Sequence, residues 1–453
     1  MAILEIRFEW EDAPGVREAA LAATWARLEI WIGQECITRV LDKKTGDTRN
    51  GVYGSLLPFV EWLVENWWFL IAESQRFDKV VPGRVLSRVS TWRNWVHRHN
   101  LLAARSGGAL PDLFLSRSDD YIAAVWHGDP ILGEEQRVRF LSQGSQLIAL
   151  AEAREKLAAL VSAALDRLEG KGCAYRPELF ENWEAIKKAD AESIHISQRA
   201  ARLGIDVYDS DEYSEQLDTM LHDAFKGWPG PVIDAFLDSI YLEKIGDSIE
   251  DVTTALKALQ DAQGKNAVIT PLDIPENPDI LPYEFGYSIA RKVREDRFSI
   301  DPSGPFADFR KQVEERFAWP SAQQCVPSPM GSERINGLIG HSADGSLQLL
   351  TGLTDFSRQN FAIARGLFHA LMHHVNGTPV LLTSAHVYKQ QAGRAFAAEL
   401  LAPARALSNE IRHPLVTSAE LRALGDKFSV SPQVIAHQIE NHNLADLEPI
   451  GAY

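Results

Sequence analysis

The chain has 453 residues, of which 45% are hydrophobic and 24% are charged, and its formal net charge is −16 at pH 7. These values exclude a largely disordered chain and predict a folded protein of several domains. The negative charge disfavours attraction to nucleic acid or to an anionic membrane as a whole, although a local basic patch is compatible with it. Cys36, Cys173 and Cys325 are far apart, which argues against a disulfide framework or a cysteine zinc site.

The N-terminus lacks the basic and apolar regions of a secretory signal. No apolar run reaches the ~18 residues that a membrane-spanning helix requires. Together with the cysteine pattern, these observations predict a cytoplasmic protein without a membrane partner.

Residues 1–130 are predicted to form a mixed α/β module. Polar and apolar residues alternate over residues 27–32, which predicts a half-buried strand. A helix is predicted over residues 57–74, with its tryptophans in the core. Residues 112–116 and 121–126 are predicted to pair as a hairpin.

Residues 131–265 are predicted to form a helical middle region, with one helix starting at residue 147 and another covering residues 177–203. The prolines of residues 266–282 predict a linker. Residues 283–453 are predicted to form the last domain. Its elements are two helices, a strand hairpin turning at Asp344-Gly345, the helix of His369, a helix over residues 388–401 and a helical tail.

The one strongly basic stretch combines arginines with tryptophans and offers a nucleic-acid or partner contact through Arg84, Arg88, Trp92, Arg93 and Arg98. A solvated helix whose tryptophans pack inward is the favoured alternative. The tail resembles a helix-turn-helix, but its second helix, at residues 432–441, carries no lysine or arginine. A packing role is therefore expected for the tail rather than DNA recognition.

Residues 365–369, Arg-Gly-Leu-Phe-His, occupy the frame of an HExxH zinc-peptidase helix. Four segments in order, residues 282–287, 358–369, 395–403 and 424–435, resemble the ImmA/IrrE-type metallopeptidase family. This resemblance covers about residues 270–450. It implies an α+β, helix-rich, multidomain protein whose C-terminal domain is zincin-like, with a short β-hairpin sheet. Members of that family are zinc peptidases or sensors that act in stress response, mobile-element control or phage defence.

The departures from that pattern predict a degenerate site formed by Arg365, Gly366 and His369. Arginine has no lone pair with which to bind zinc, and glycine cannot act as the general base. The positions expected for a third, acidic ligand hold Lys389, Gln390 and Ala392. We therefore expect no catalytic residue and no cofactor, and a sensor, scaffold or regulatory protein with a protein partner. Arg365 is expected to pair with an internal carboxylate, or else to bind an anionic ligand.

Two alternatives stay open. His369 and His373 are four residues apart and could hold zinc together with His386 or Glu399, which would make the protein an active zinc peptidase. Without a metal, His373 is expected to pack or cap near the end of the helix, and His374 is expected to be solvated. The second alternative is a nucleic-acid-binding regulator, with nucleic acid as a less favoured partner.

Overall fold

A computed structural model describes the chain in ten segments: residues 2–13, 15–76, 90–105, 108–128, 137–206, 213–264, 266–301, 303–319, 325–327 and 334–448. Helices make up 50% of the described residues and strands 18%, which confirms the helix-rich α+β class. Within the described segments, no helix is both long and apolar enough to cross a membrane. The chain divides into two compact units, Met1–Asp218 and Thr219–Tyr453.

The first unit contains three small antiparallel sheets. Its strands are β1 Leu4–Trp10, β2 Trp25–Ile32, β3 Glu35–Cys36, β4 Val40–Asp42, β5 Thr48–Arg49, β6 Val52–Ser55, β7 Asp112–Ser118, β8 Tyr121–His127, β9 Val138–Phe140 and β10 Gly144–Ala149. The predicted strand at residues 27–32 is confirmed as part of β2, which is buried at every second residue. The predicted hairpin is confirmed as β7 and β8, whose turn places Asp119 at a positive φ of 55°.

The helices of the first unit are α1 Ala19–Ala23, α2 Leu57–Glu65, α3 Trp67–Ala72, α4 Ser90–His99, α5 Leu150–Gly170, α6 Pro177–Lys188, α7 Ala191–Leu203 and α8 Glu215–Phe225, and α8 runs across the division between the units. Trp95 of α4 packs with Phe114 in a small separate cluster. The helices α1, α2, α3, α5, α6 and α7 contribute to one larger core. Trp62, Trp67 and Trp68 are buried in this core, as their apolar spacing predicts.

Three predicted helices of the first unit are wrong in their boundaries. The single helix over residues 57–74 is interrupted at Asn66, whose side-chain amide donates to the Trp62 carbonyl at 2.9 Å and competes with the helical backbone pattern. The helix predicted from residue 147 begins at Leu150, because residues 144–149 pair with β8 instead. The span 177–203 contains two helices, the second capped by the Asp190 side chain, which accepts from Ser193 N.

The second unit contains a four-stranded sheet in the order β11-β13-β12-β14 and a small β15-β16 pair. Its helices are α9 Gly230–Leu237, α10 Ile245–Asp261, α11 Pro282–Val293, α12 Phe309–Phe317, α13 Phe356–Leu371, α14 Tyr388–Leu401, α15 Ala404–Glu410, α16 Ser418–Phe428 and α17 Pro432–Asn441. Its strands are β11 Cys325–Pro327, β12 Ile335–His341, β13 Leu347–Thr351, β14 Val380–Thr383, β15 Leu415–Val416 and β16 Asp446–Leu447. The predicted hairpin turn is confirmed, with Gly345 at a φ of 82°.

Helix α13 lies between the sheet and α14, and α14 packs closely on α11. This close approach requires a glycine, because a Cβ at Gly286 would lie 2.3 Å from the Ala392 carbonyl oxygen. The α11–α14 pair therefore fixes the position of the helix that faces α13.

The proline-rich segment predicted as a linker lies inside the second unit and bonds to it along its length. Val268 N donates to Phe317 O at 2.7 Å, and Leu272 N donates to Leu371 O at 2.7 Å. The chain divides at residues 218–219, whereas the sequence predicted boundaries near residue 130 and at residues 266–282. The predicted boundaries lie where the helix or proline content changes, but the observed division follows the packing contacts between residues.

Glu73, at the end of α3, is a fully buried carboxylate that joins several elements of the first unit. It accepts from Arg98 Nη2 at 2.8 Å and from Arg98 Nε at 3.0 Å, lies 3.0 Å from His99 Nε2, and pairs with Arg76 Nε at 3.3 Å. Burial raises the pKa of this carboxyl, but the charge of Arg98 and the His99 bond outweigh it and lower the pKa to about 2. The carboxylate therefore stays charged and holds α3 to α4.

We expect Glu73→Gln to lower the free energy of unfolding of the first unit by about 3–5 kcal/mol, because it leaves the Arg98 and Arg76 charges buried without their partner. The exposed Glu181→Gln is the matched control. Urea unfolding measures both. The difference from the wild type should shrink as the pH falls from about 4.5 towards 2, where the native carboxylate takes up a proton. Equal stability of the two variants at pH 7 would contradict this role.

Candidate functional site

The candidate site lies on α13, which is capped at its N-terminus by Asp355, whose side chain accepts from Arg358 N at 2.9 Å. The helix is buried on almost all sides along its second half, and Arg365 and His369 are both 1% exposed. Arg365, Gly366 and His369 therefore lie in the protein interior and not in an open cleft.

Arg365 is held by neutral acceptors from three elements. Its Nη1 donates to Asn336 Oδ1 at 3.0 Å, and its Nη2 donates both to the Thr383 carbonyl and to Gln390 Oε1, each at 2.6 Å. No carboxylate in the described part of the chain pairs with it. The predicted carboxylate partner is thus wrong: a planar guanidinium can span β12, β14 and α14 with amide and carbonyl acceptors alone.

The electrostatic environment of Arg365 is unfavourable to its charge. Burial, and then the charge of Arg394, lower the pKa of Arg365 well below its ordinary value. Arg394 donates to the same Thr383 carbonyl at 3.1 Å, so two guanidinium groups share one oxygen. The Arg365 Nε has no hydrogen-bond partner. The site thus concentrates positive charge in the interior of the second unit.

Gly366 lies where a catalytic glutamate would stand in the HExxH frame. A Cβ at this position would lie 3.0 Å from Trp319 Cη2 and 3.1 Å from Ile339 Cδ1. The Trp319 ring is fully buried. A longer side chain at residue 366 would therefore have to displace the tryptophan or the sheet.

His369 belongs to a chain of polar groups that the sequence did not predict. Its Nδ1 lies 3.0 Å from His374 Nδ1, and His374 Nε2 lies 2.8 Å from Glu276 Oε1. The bond to His374 and the Lys389 charge lower the pKa of Glu276, although its burial opposes this. The consistent proton assignment has His374 donating to Glu276 and accepting from His369 Nδ1.

This assignment leaves the Nε2 of His369 without a proton. That nitrogen is buried and has no hydrogen-bond partner, and it lies 3.3 Å from the place that a Cβ on Gly393 would occupy. Burial, and then the neighbouring His374, Arg365 and Lys389 charges, lower the pKa of His369 well below its ordinary value. The ring is therefore neutral and faces the backbone of α14.

Zinc, which the family resemblance implies, does not fit these residues. Arg365 offers no lone pair at the first ligand position, and His369 Nε2 is covered by α14. Across the ranges described above, no group of three or more histidine, cysteine, aspartate or glutamate side chains is placed to hold a metal.

The alternative ligands His369, His373 and Glu399 are not brought together. His373 follows the end of α13, has a φ of 62° and is exposed. The buried Glu399 carboxylate is engaged elsewhere: it pairs with Arg291 Nε at 2.8 Å and accepts from Gln438 Nε2 at 3.0 Å. The expectation of a solvated His374 is wrong, because Glu276, 98 residues earlier, binds it. Only the repeated histidine at residues 373–374 gave a hint of this contact.

The basic segment is only partly described. Arg84 and Arg88 lie outside the described residues, and for Trp92 only the backbone, in α4, is described. Arg93 is exposed, whereas Arg98 is paired with Glu73. Trp95 is buried and stacks on His99. Among the residues with a described side chain, Arg93 alone is thus left as an exposed arginine of the predicted contact.

The helix-turn-helix-like tail packs onto the second unit. Gln438 of α17 is buried and donates to Glu399 and to the Ala402 carbonyl, each at 3.0 Å. The exposed face of α17 carries Gln433 and His437. These contacts agree with the expected packing role of the tail.

No protein-family model matches this chain, and a search of curated proteins finds no significant match. The resemblance of residues 270–450 to the ImmA/IrrE family therefore rests on the order of its motifs and stays a prediction.

We expect Arg365→Met to keep the free energy of unfolding within about 1 kcal/mol of the wild type, because it removes an uncompensated buried charge while two of its acceptors keep other donors. Thr383 O still accepts from Arg394, and Gln390 Oε1 still accepts from Thr383 N. Urea unfolding of the full chain measures the change.

The matched control is Arg294→Met. Arg294 is also 1% exposed, and its guanidinium donates to the Leu400, Asp301 and Gly304 carbonyls. We expect this control to cost at least about 2 kcal/mol, because buried carbonyls lose their donor. A larger loss at Arg365 than at Arg294 would contradict the electrostatic interpretation.

We also expect protonation of His369 to destabilise the second unit. Its native pKa is depressed, so the unfolded chain binds more protons below the ordinary pKa of about 6.5, and stability falls as the pH drops from about 7 to 5. The slope contributed by one histidine is at most about 1.4 kcal/mol per pH unit. Urea unfolding at several pH values should show a shallower slope for His369→Phe than for the wild type. The exposed His373→Gln should keep the wild-type slope; equal slopes in all three proteins would refute the assignment.

Proposed function

We propose that the second unit is a degenerate ImmA/IrrE-like domain without peptidase activity, and that the protein acts as a sensor, scaffold or regulatory protein. The single observation that carries this proposal is the arginine fork at the first ligand position. Arg365 is completely buried and bonds to Asn336, Thr383 and Gln390. A protonated side chain that already fills the ligand position repels a metal cation and cannot bind it.

Two further positions support the same proposal independently. Trp319 covers Gly366, so the general base is replaced by a packed aromatic ring. Gln390, at one of the positions expected for the acidic ligand, uses both ends of its amide within the protein, because Oε1 accepts from Arg365 and Nε2 donates to Leu381 O at 2.7 Å. The residues at the expected positions of the first metal ligand, the general base and the third ligand are thus each occupied by packing or hydrogen bonds within the protein.

The biological setting follows from the resemblance alone. A protein of this type would act in stress response, mobile-element control or phage defence, through a protein partner. The packing of Gln438 and the pairing of Arg98 with Glu73 leave less support for a nucleic-acid-binding regulator.

Metal analysis of the purified full chain tests the proposal. We expect well below one zinc ion per chain, and no hydrolysis of an unfolded protein substrate with or without added zinc. A chelator should leave thermal unfolding unchanged, because a bound structural metal would contribute to stability.

The paired variants His369→Ala and His373→Ala sharpen this test. Stoichiometric zinc in the wild type that is lost in His369→Ala and kept in His373→Ala would overturn the proposal. Zinc lost in both variants would instead support the alternative peptidase site. Absence of zinc and of hydrolysis in all three proteins is the expected result.

A further inference from the structure

The first unit contains a concave site that is separate from the α13 residues. It is a groove of about 840 Å³, lined by residues of β2 and β6, by residues 104–105 and 108–110 and by Arg137 and Val138. This volume lies within the range of about 300–1,000 Å³ that small-molecule sites occupy. Its apolar floor includes Leu28, Val52 and Leu56, each no more than 3% exposed.

Among the residues that the structure describes, the charged residues that line the groove are all arginines. They are Arg49, Arg105 and Arg137, and no described aspartate or glutamate lines it, although acidic residues outnumber basic ones 62 to 46 in the whole chain. Arg137 Nε donates to Asp42 at 3.1 Å, and Arg49 lies 3.7 Å from the same carboxylate. One carboxylate is therefore shared between two of the three guanidinium groups.

Arg105 has no carboxylate partner within the described segments. Its Nε donates to the Gly108 carbonyl at 2.8 Å, and burial alone lowers its pKa. Trp25 and Tyr53 also line the groove. The groove thus combines guanidinium groups with an apolar floor.

We propose that this groove binds a small amphipathic anion, whose carboxylate or phosphate contacts Arg105 and Arg137 and whose apolar body lies on Leu28 and Val52. Guanidinium groups bind both head groups in a bidentate manner. Burial of the apolar body against the floor would add affinity without further polar contacts. The ligand site is independent of the function proposed for the second unit, and would supply a regulatory protein with a small-molecule input.

Calorimetric titration of the full chain with four probes tests the proposal. Octanoate and octyl phosphate share an alkyl body and differ in head group, octanol lacks the charge, and adenosine monophosphate carries phosphate on a heterocycle. We expect at least one of the three anions to bind, and octanol to bind at least about tenfold more weakly than the better alkyl anion. The anion that binds most tightly identifies which head group and which apolar body the groove prefers. Equal binding of octanol, or no binding of any anion at millimolar concentration, would overturn the proposal.

Three variants locate the site. Arg105→Gln should weaken anion binding by about tenfold or more, whereas Arg154→Gln, at an exposed position of α5, should leave it unchanged. Gly54→Trp should abolish binding without changing the charge, because a Cβ there lies 3.9 Å from Gly108 Cα across the groove. Circular dichroism establishes whether each variant is folded. If the tryptophan variant fails to fold, the comparison of Arg105→Gln with Arg154→Gln tests the location of the site. Unchanged affinity in Arg105→Gln would refute the proposed site.

Discussion

The burial of α13 between the sheet and α14 is the constraint on which the second unit depends. A helix enclosed in this way must satisfy every polar side chain within the protein, because water cannot reach it. The two terminal nitrogens of Arg365 meet this requirement through Asn336, Thr383 and Gln390, and His369 Nδ1 does so through His374, whereas Arg365 Nε and His369 Nε2 are left without a hydrogen-bond partner. Gly366 meets it by having no side chain, which leaves its space to Trp319. The two departures from the HExxH pattern, Arg365 and Gly366, and the retained His369 are therefore accommodated by one packing arrangement.

Glu73 and Arg365 are buried charged groups that obey different energetics. Glu73 is surrounded by Arg98, His99 and Arg76, so the Coulombic attraction offsets the loss of hydration. Arg365 has only dipolar acceptors, and the nearby Arg394 adds repulsion. The first centre stabilises its fold through charge pairing. The second fills space and satisfies neighbours at a cost in free energy.

Local signals in the sequence predicted the elements well, and long-range contacts could not be predicted. The Asp344-Gly345 turn and the helix ending before Pro403 depend on neighbouring residues, so they could be recognised from the sequence. The break at Asn66 depends on one amide that bonds to its own helix, a choice that competes closely with helix continuation. The contact of Glu276 with His374 joins residues 98 positions apart. Nothing in either segment alone distinguishes that pair from two solvated side chains.

Both units of this acidic chain contain a guanidinium group without a carboxylate partner among the described residues. The chain carries a net charge of −16, yet uncompensated guanidinium groups occur inside the second unit, at Arg365, and in the groove of the first, at Arg105. Surface repulsion of an approaching anion decays over a Debye length of about 8 Å at physiological ionic strength, whereas hydrogen bonds to a guanidinium act at contact. The net negative charge therefore disfavours long-range attraction of anions, whereas the proposed ligand would contact the arginines of a groove that no described carboxylate lines. Arg365 is covered by its own protein and Arg105 opens onto a groove, so only the latter has the access that ligand recognition requires.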